Sequence, residues 1–557
     1  MPAAIAVVLA SGLLGVGLAR THDRSAAGVP ELHVIGPTDP ARTIQFGVAL
    51  RLRTGALHRS LARFERPGSQ RGKSFLSAEQ FGARFGLSSG SLEDLRSRLR
   101  GFGLSVGLTY RQRTEMLVRG SVARVSRLFD LHFVDLRSRT GQLYYEASGR
   151  PRVPARLARY VTGVGELGDA PLATDDIPAT GLTPQVLGTA YDITPLWNEG
   201  ILGKGQTIAV VSEGKFSYSD IQAWQRKTGS TTTPSITSIP VGAGSAAASD
   251  SPGGTEDALD LQVILSVAPQ ASILQYEIGQ QTTGFAVGLA DAFNKIVEED
   301  RAKIVSVSLG ECEPAIQSGE QELVDNALAA ADRLGITVFI ASGDTGAYAC
   351  EQDDPSDTAL SVQFPSSSQY AVSVGGTRLA VAEDGSYVDE QAWSDPLERT
   401  GTGGGVSASE PMPSWQQGPG VSTPDLNPQG HRQTPDVAGP ADPSSGFLVC
   451  HAEAGSSGEP CAGGNGGTSA ATPFWAASML LVQQYASGHG VHNSEFAAPA
   501  LYALAANPQA LAPFHDVIHG NNGYYAATHG WDYATGLGSP DVENLAQDYL
   551  TYSRTGR

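Results

Sequence analysis

Asn465-Gly466-Gly467-Thr468-Ser469-Ala470-Ala471-Thr472-Pro473 runs directly into an apolar stretch that continues to Tyr485. Glycines let a backbone approach another molecule closely, and the free N–H groups at a helix start can hold a developing negative charge. Read this way, a glycine-rich turn delivers the Ser469 hydroxyl to the start of a helix over Pro473–Tyr485, with Pro473 in its first turn. The local pattern leaves a second reading open, in which Ser469 simply caps a helix after a glycine loop. The segments around the motif decide between the two.

From Gln206 onward, short apolar runs alternate with amphipathic ones. Thr207–Val211, Ser272–Tyr276, Ile304–Ser308 and Val338–Ala341 read as buried strands, and Asp257–Val267, Phe285–Glu298 and Gln321–Leu334 as helices. Strands alternating with helices imply a parallel α/β sheet covered on both faces, with functional groups on the loops beyond the strands' carboxyl ends. The chain shows no internal repeat.

At 557 residues the chain calls for two or three domains. Residues 30–165 have a different rhythm. Strand-like runs at 44–50 and 114–118 are joined by helix-like runs at Leu92–Leu99 and Val122–Phe129, which fits a small α+β sandwich of ferredoxin-like type. Gly168–Pro184, rich in Ala, Pro, Thr and Asp, reads as an exposed linker open to proteolysis. Charge divides the same way. Residues 1–177 carry 25 Lys and Arg against 15 Asp and Glu, whereas residues 178–557 carry 13 against 42. A basic front and an acidic back attract each other at neutral pH, and acid weakens that attraction by protonating carboxylates. Two domains of separate history would give the same asymmetry.

Pro2–Ala19 is almost wholly apolar and stops at Arg20-Thr21-His22-Asp23, the pattern of a secretory signal peptide although its first residues lack Lys or Arg. A membrane anchor is the other reading of a stretch this long. The four cysteines, Cys312, Cys350, Cys450 and Cys461, all lie in the acidic part. In an exported chain they form two disulfides with three connectivities open, and Cys450–Cys461 is the favoured local pair. Their spacing does not match a zinc site.

A serine nucleophile needs a base. A subtilisin needs an early catalytic histidine, yet no His occurs between residues 178 and 430, and His451, His489 and His515 sit around or after Ser469, so the usual Asp-His-Ser order is absent. Gly253-Gly254-Thr255-Glu256-Asp257-Ala258-Leu259-Asp260 instead opens a helix on which Glu256 and Asp260, four apart, share a face. Two carboxyls buried together share protons and raise an apparent pKa. An acidic helix start suited to the dipole accounts for Glu256 better than for Asp260. Ala341-Ser342-Gly343-Asp344-Thr345-Gly346 then sets Asp344 between glycines just past a strand, either as a functional group or as an Asx-turn.

Glu256-x-x-x-Asp260, Ser342-Gly343-Asp344 and Gly467-Thr468-Ser469-x-x-x-Pro473, in this order, resemble the sedolisins, the serine-carboxyl peptidase family. Ala268-Pro269, Phe364-Pro365-Ser366, Val374-Gly375-Gly376-Thr377 and Pro435-Asp436-Val437 support the match, and Phe75–Gly82 looks like the family's kumamolisin-type activation prosegment. The resemblance implies a subtilisin-like parallel sheet flanked by helices, preceded by the small α+β prodomain. It also implies a signal peptide at 1–25, a prosegment at 26–167, a processing linker at 168–184 and a peptidase domain at 185–557. By it, Ser469 is the nucleophile, Glu256 its general base, Asp260 the group that orients the glutamate, and Asp344 the oxyanion-hole residue. Glutamate ionises near 4.3, so it remains a base at about pH 3–5, where imidazole is protonated. Asp344 must be protonated to donate to an oxyanion.

The stretch Phe514-His515-Asp516-Val517, continuing through Thr528-His529-Gly530-Trp531-Asp532, looks like the family's site for one structural Ca2+. The implied ligands are the carboxylates of Asp516 and Asp532 and the backbone oxygens of Val517, Thr528 and Gly530. Thr528 stands where the family usually has Gly, and a plain turn is the reading without the resemblance. The expected protein is thus a secreted, extracellular serine-type endopeptidase active in acid. It is made as a zymogen inhibited by its own prosegment, acts on polypeptides, and is monomeric. A tripeptidyl-peptidase of the same family, or a secreted inactive binding protein, are the competing readings. No organic cofactor, nucleic-acid partner or stable membrane association is expected.

Overall fold

The computed structural model describes residues 33–51, 53, 78–109, 113, 115–137, 143–148, 151–165, 181–241, 254–278, 285–316, 318–352, 357–396, 398–417, 421, 426–451, 461–492, 496–506 and 511–555. The leader expected at 1–25 and all but residues 181–184 of the expected linker lie outside these residues.

In the front body, Thr43–Leu50 (β1), Ser89–Gly101 (α1), Ser105–Thr109 (β2), Glu115–Ser121 (β3), Val122–Phe129 (α2) and Val161–Gly165 (β4) run β-α-β-β-α-β. The sheet order is β2-β3-β1-β4 with every neighbour antiparallel, the ferredoxin-like arrangement read from the sequence. Alternate residues of β1, Ile44, Phe46, Val48 and Leu50, are buried. They meet Leu92, Leu95 and Leu99, which form one stripe on α1, together with Val125 and Phe129 on α2. The Ser88 hydroxyl caps α1 by accepting the Ser91 N–H at 3.1 Å. A further three-stranded sheet, absent from the sequence reading, joins His33–Pro37, His132–Arg137 and Leu143–Ser148.

The larger body is built on one sheet. Its strands are Thr207–Ser212 (β5), Ser235–Pro240 (β6), Ser272–Glu277 (β7), Ile304–Val307 (β8), Thr337–Ala341 (β9), Val372–Val381 (β10), Tyr387–Ala392 (β11), Val437–Pro440 (β12) and His519–Gly520 (β13). Their order is β13-β11-β10-β9-β8-β5-β7-β6, with β12 beside β10. From β6 to β12 all neighbours are parallel; β11 alone runs antiparallel to β10. The central strands β5, β8 and β9 are buried on both faces and are mostly apolar. Along β5, Ile208 and Val210 enter the core on one face, while Ala209 and Val211 enter the core on the other.

Helices Gly254–Val267 (α3), Thr468–Gly488 (α6), Ala497–Ala506 (α7) and Val542–Thr555 (α8) cover the first face, and Phe285–Glu299 (α4) and Ser318–Arg333 (α5) the second. α6 is a central helix: Phe474, Trp475, Met479 and Leu481 are all fully buried, each worth about 1.5–3 kcal/mol of apolar burial. The chain leaves β5 first toward β7 and later toward β8, so its C-terminal end marks the crevice where this topology gathers ligands. Among the described residues no helix is long and apolar enough to cross a membrane.

An unusual number of carboxyls are buried in this body. Glu390, 1% exposed, accepts hydrogen bonds from Tyr191, Thr377 and Ser539, yet burial still pushes it up to about 7. Asp541 is pushed up to about 6, and Glu410 beside Asp325 is raised too, burial first in each case. A carboxyl whose folded pKa exceeds its unfolded value favours folding while protonated. Its contribution is complete below about pH 4 and is lost as pH rises through the folded value. His515, pulled down to about 4 by burial, acts oppositely but is one group against several. The apparent Tm is therefore expected to fall between pH 5 and pH 8. Calorimetry at fixed ionic strength checks this, and a Tm that holds or rises over that range contradicts it.

Candidate active site

Four elements bring the sequence-predicted residues to the crevice. Glu256 lies in the first turn of α3 and Asp260 one turn later, so both carboxyls leave the same face. Asp344 follows β9, and Ser469 is the second residue of α6. A cleft of about 230 Å3 is lined by Glu213, Glu256, Asp257, Asp260 and Ser308 among others.

The Ser469 and Ser308 side chains lie near the Glu256 carboxyl, and both draw its ionisation down. Glu256 Oε1 is buried without a partner, and Asp260 is 1% exposed. Burial raises both members of the pair. Glu256 is raised further by the Asp344 and Asp257 charges and drawn back by Ser469, while Asp260 is raised further by Glu256. Two carboxyls this close retain a shared proton. Asp257 forms a second layer: it is 1% exposed, accepts from Gln275 Nε2 at 3.1 Å, and is pushed up to about 7 by burial.

The helix carrying Ser469 begins earlier than the sequence reading has it. α6 starts at Thr468, so Pro473 sits in its second turn and not in the first. Proline has no N–H, and the Ser469 carbonyl is left without its helical partner. Ser308, just past β8, fills the gap: its Oγ lies 3.1 Å from the Ser469 carbonyl and donates to Asp260 Oδ1 at 2.7 Å. One hydroxyl proton cannot serve both acceptors, so both bonds exist together only when Asp260 supplies a proton of its own. Sequence reading placed Ser308 merely at a strand end. A helix-interior proline four residues after the serine was the available signal.

Gly467 precedes α6 at φ +90°, and a Cβ there would stand 2.6 Å from Asp344 Oδ2. The missing side chain is what lets the aspartate carboxyl lie against the helix start. Thr468 donates its N–H and its hydroxyl to Asp344 Oδ1, both at 2.8 Å. Burial nevertheless raises Asp344 above the usual aspartate value.

Two disulfides stiffen the surroundings. Cys450–Cys461 closes the hairpin leading to Ser469, as read from the sequence, and Cys312–Cys350 ties the segment beyond β8 to the segment beyond Asp344. Buried Gln262 of α3 donates to the Cys450 carbonyl at 2.7 Å and accepts its N–H at 2.8 Å, locking the carboxyl helix to that hairpin. The sequence reading missed this role of Gln262.

The carboxy-terminal loop brings its predicted residues around one turn, 528–532. Asp516 Oδ1 accepts the Gly530 N–H at 3.0 Å, and Asp532 Oδ2 accepts the Thr528 N–H at 2.8 Å. Asp532 is 3% exposed and is pushed up to about 7 by burial. Among the described residues no group of three or more His, Cys, Asp or Glu side chains is placed to hold a metal ion. A cation here would therefore be held by two carboxylates and by carbonyls, the set a hard ion accepts. From the same loop, the Asn522 carbonyl accepts the Ala347 N–H at 3.0 Å, which supports the segment carrying Asp344.

Comparison with known proteins agrees with this architecture. Residues 30–170 match the family model described as Pro-kumamolisin, activation domain, and residues 241–509 match the subtilase family. Kumamolisin of Bacillus sp. is 31% identical over 504 residues, covering 85% of this chain and 86% of that one. The chain belongs to the sedolisin family. The solved structure of Pseudomonas sedolisin, complexed with two molecules of pseudo-iodotyrostatin, overlays with a TM-score of 0.58 at 30% identity, covering 68% of this chain and all of that one. Tripeptidyl-peptidase 1 of Macaca fascicularis is 27% identical, covering 72% and 73% of the two chains. The protein is thus a serine-type peptidase of subtilisin-like fold, made with an activation prosegment as a zymogen.

Within this sedolisin site the close approach at Gly467 is directly testable. Gly467→Ala must push Asp344 Oδ2 away and strain a positive φ, costing roughly 1–3 kcal/mol. Urea unfolding measures the change, and a variant as stable as wild type would show that the carboxyl does not occupy this position.

Proposed function

We propose that this sedolisin-family peptidase is a secreted endopeptidase that acts in acid through Ser469, Glu256, Asp260 and Asp344. The observation that carries the reading is the placement of Ser469, at the start of α6, beside the buried Glu256 and Asp260 carboxyls, with no imidazole there among the described residues. As Ser469 Oγ bonds to the substrate carbonyl carbon, its proton passes to Glu256, and Asp260 holds that carboxyl in place. The new oxyanion accepts a hydrogen bond from protonated Asp344. Collapse breaks the C–N bond, with the proton on Glu256 going to the leaving amine. Water then attacks the acyl ester, gives its proton to Glu256, and Ser469 recovers one on release.

Two opposed ionisations bound activity. The shared proton of the Glu256–Asp260 pair sets the acidic limb, and loss of the Asp344 proton sets the alkaline one. Burial raises all three groups, which moves both limbs above the values for exposed carboxylates.

Residues 1–25 serve as the signal peptide, 26–167 as an intramolecular inhibitor, 168–184 as the processed linker and 185–557 as the peptidase domain. Acid loosens the basic prosegment from the acidic peptidase. One Ca2+ at Asp516, Val517, Thr528, Gly530 and Asp532 would neutralise a buried carboxyl and fix the loop that supports Asp344.

After acid incubation, cleavage of a denatured protein substrate followed from about pH 2.5 to about pH 8 is expected at the acid end of that range and absent at its alkaline end. Ser469→Ala and Glu256→Gln are expected to lower kcat by about 10²-fold or more while folding is retained. Wild-type turnover in Glu256→Gln, or an optimum at neutral pH, would remove the carboxylate base. Internal fragments are expected by mass spectrometry; stepwise release of tripeptides from the amino terminus would make the enzyme a tripeptidyl-peptidase instead. Chelation of calcium is expected to lower Tm, since a ligand bound only to the native state stabilises it. An unchanged melt at low free calcium argues against the ion.

A further inference from the structure

The two oxygens of the Asp344 carboxyl differ in what faces them. Oδ1 accepts both the N–H and the hydroxyl of Thr468. The Thr468 hydroxyl is itself oriented, because its oxygen accepts the Gly343 N–H at 3.1 Å and its hydrogen is then directed at Asp344. Thr468 is 1% exposed, so water does not compete for these bonds. Oδ2 lies over Gly467, whose lack of a side chain leaves room for it, and among the described residues no donor faces it.

A carboxylic acid donates only from the oxygen that bears the proton. A proton on Oδ1 would point into two donor hydrogens, whereas Oδ2, packed beside Gly467 at the helix start, receives no hydrogen bond from the described residues. We propose that Thr468 is a positioning residue that confines the Asp344 proton to Oδ2, turning the acid into a one-directional hydrogen-bond donor. The inference rests on the reading of Asp344 as the oxyanion donor and adds what aims it. Ser469 follows Thr468 directly, so the backbone that presents the nucleophile also fixes the geometry of the acid.

The arrangement has a cost in pH range. Donors on Oδ1 stabilise the carboxylate as well, drawing the Asp344 ionisation back down against the effect of burial. The titratable group facing Asp344 is Glu256 on α3, with Asp260 behind it, and their shared proton governs the acidic limb. The alkaline limb is therefore the one that reports on Thr468.

The test compares kcat and KM from pH 3 to pH 8 for the acid-processed enzyme, Thr468→Val, Thr468→Ser and Asp344→Ala, using a fluorogenic peptide. Thr468→Val is expected to lower kcat roughly tenfold with KM nearly unchanged, and to move the alkaline limb of kcat upward by about one pH unit. Thr468→Ser is expected to restore both. A loss of activity with the alkaline limb unmoved, or with no recovery in Thr468→Ser, would make Thr468 a packing residue and overturn the proposal. If Thr468→Val does not process, Thr468→Ala removes the same hydroxyl without the added methyl and carries the same expectation. Asp344→Ala separates the two claims. It is expected to lose about 10²-fold in kcat, and wild-type-like activity there would overturn the reading of Asp344 itself, whatever Thr468 does.

Discussion

Burial of acidic side chains is the constraint around which this protein is organised. Glu256, Asp260, Asp257 and Asp344 stand at one end of a sheet whose central strands are buried on both faces and mostly apolar. A lone carboxylate placed there would cost several kcal/mol, so the groups retain protons and are held by hydroxyls and amides. Protonation is therefore part of the folded structure. It permits carboxyls to sit side by side, and it supplies the donor that an oxyanion requires. The same logic extends beyond the crevice to Glu390 and Glu410, which burial also raises.

The positions of those carboxyls depend on α6. Its core-facing residues fix the helix against the sheet, and its first turn then places Ser469 and Thr468 with little freedom. Pro473 and Ser308 act as a pair. The proline opens a gap in the helical hydrogen bonding, and a hydroxyl from the next loop fills it while reaching Asp260. Gln262 and the Cys450–Cys461 hairpin couple the carboxyl helix to the segment that delivers the serine. Ser308, Thr468, Gln262 and Asn522 are thus part of the site without being its reacting groups.

Charge separates the two bodies that the chain connects. The front carries excess arginine on a small ferredoxin-like sheet, and the back carries excess carboxylate. An interaction of this kind strengthens as carboxylates ionise and weakens as they take up protons. In the proposed mechanism, protonation acts in one direction on the stability of the peptidase body, on the Asp344 acid and on release of the prosegment.

The fold and the four side chains proposed to react were marked in the sequence by signals that are local. Apolar runs of strand length, a four-residue carboxyl spacing, an aspartate just past a strand and a glycine turn before a helix each need only neighbouring residues to be read. The parallel sheet followed from strand–helix alternation, and one strand–helix–strand unit, β7-α4-β8, was placed within a residue of its observed ends, whereas α3 and α5 begin three residues earlier than read. The start of α6 was misplaced because proline was taken as a boundary signal, whereas tertiary packing carries the helix through it. The second donor to the Ser469 carbonyl, the bond from Gln262 to a hairpin 188 residues away and the support of Asp344 by Asn522 have no local signature. Such contacts join segments far apart in the chain. Sequence determined which groups were available for chemistry; only the tertiary structure decided which oxygen of each carboxyl meets a donor, because that depends on distances set by packing.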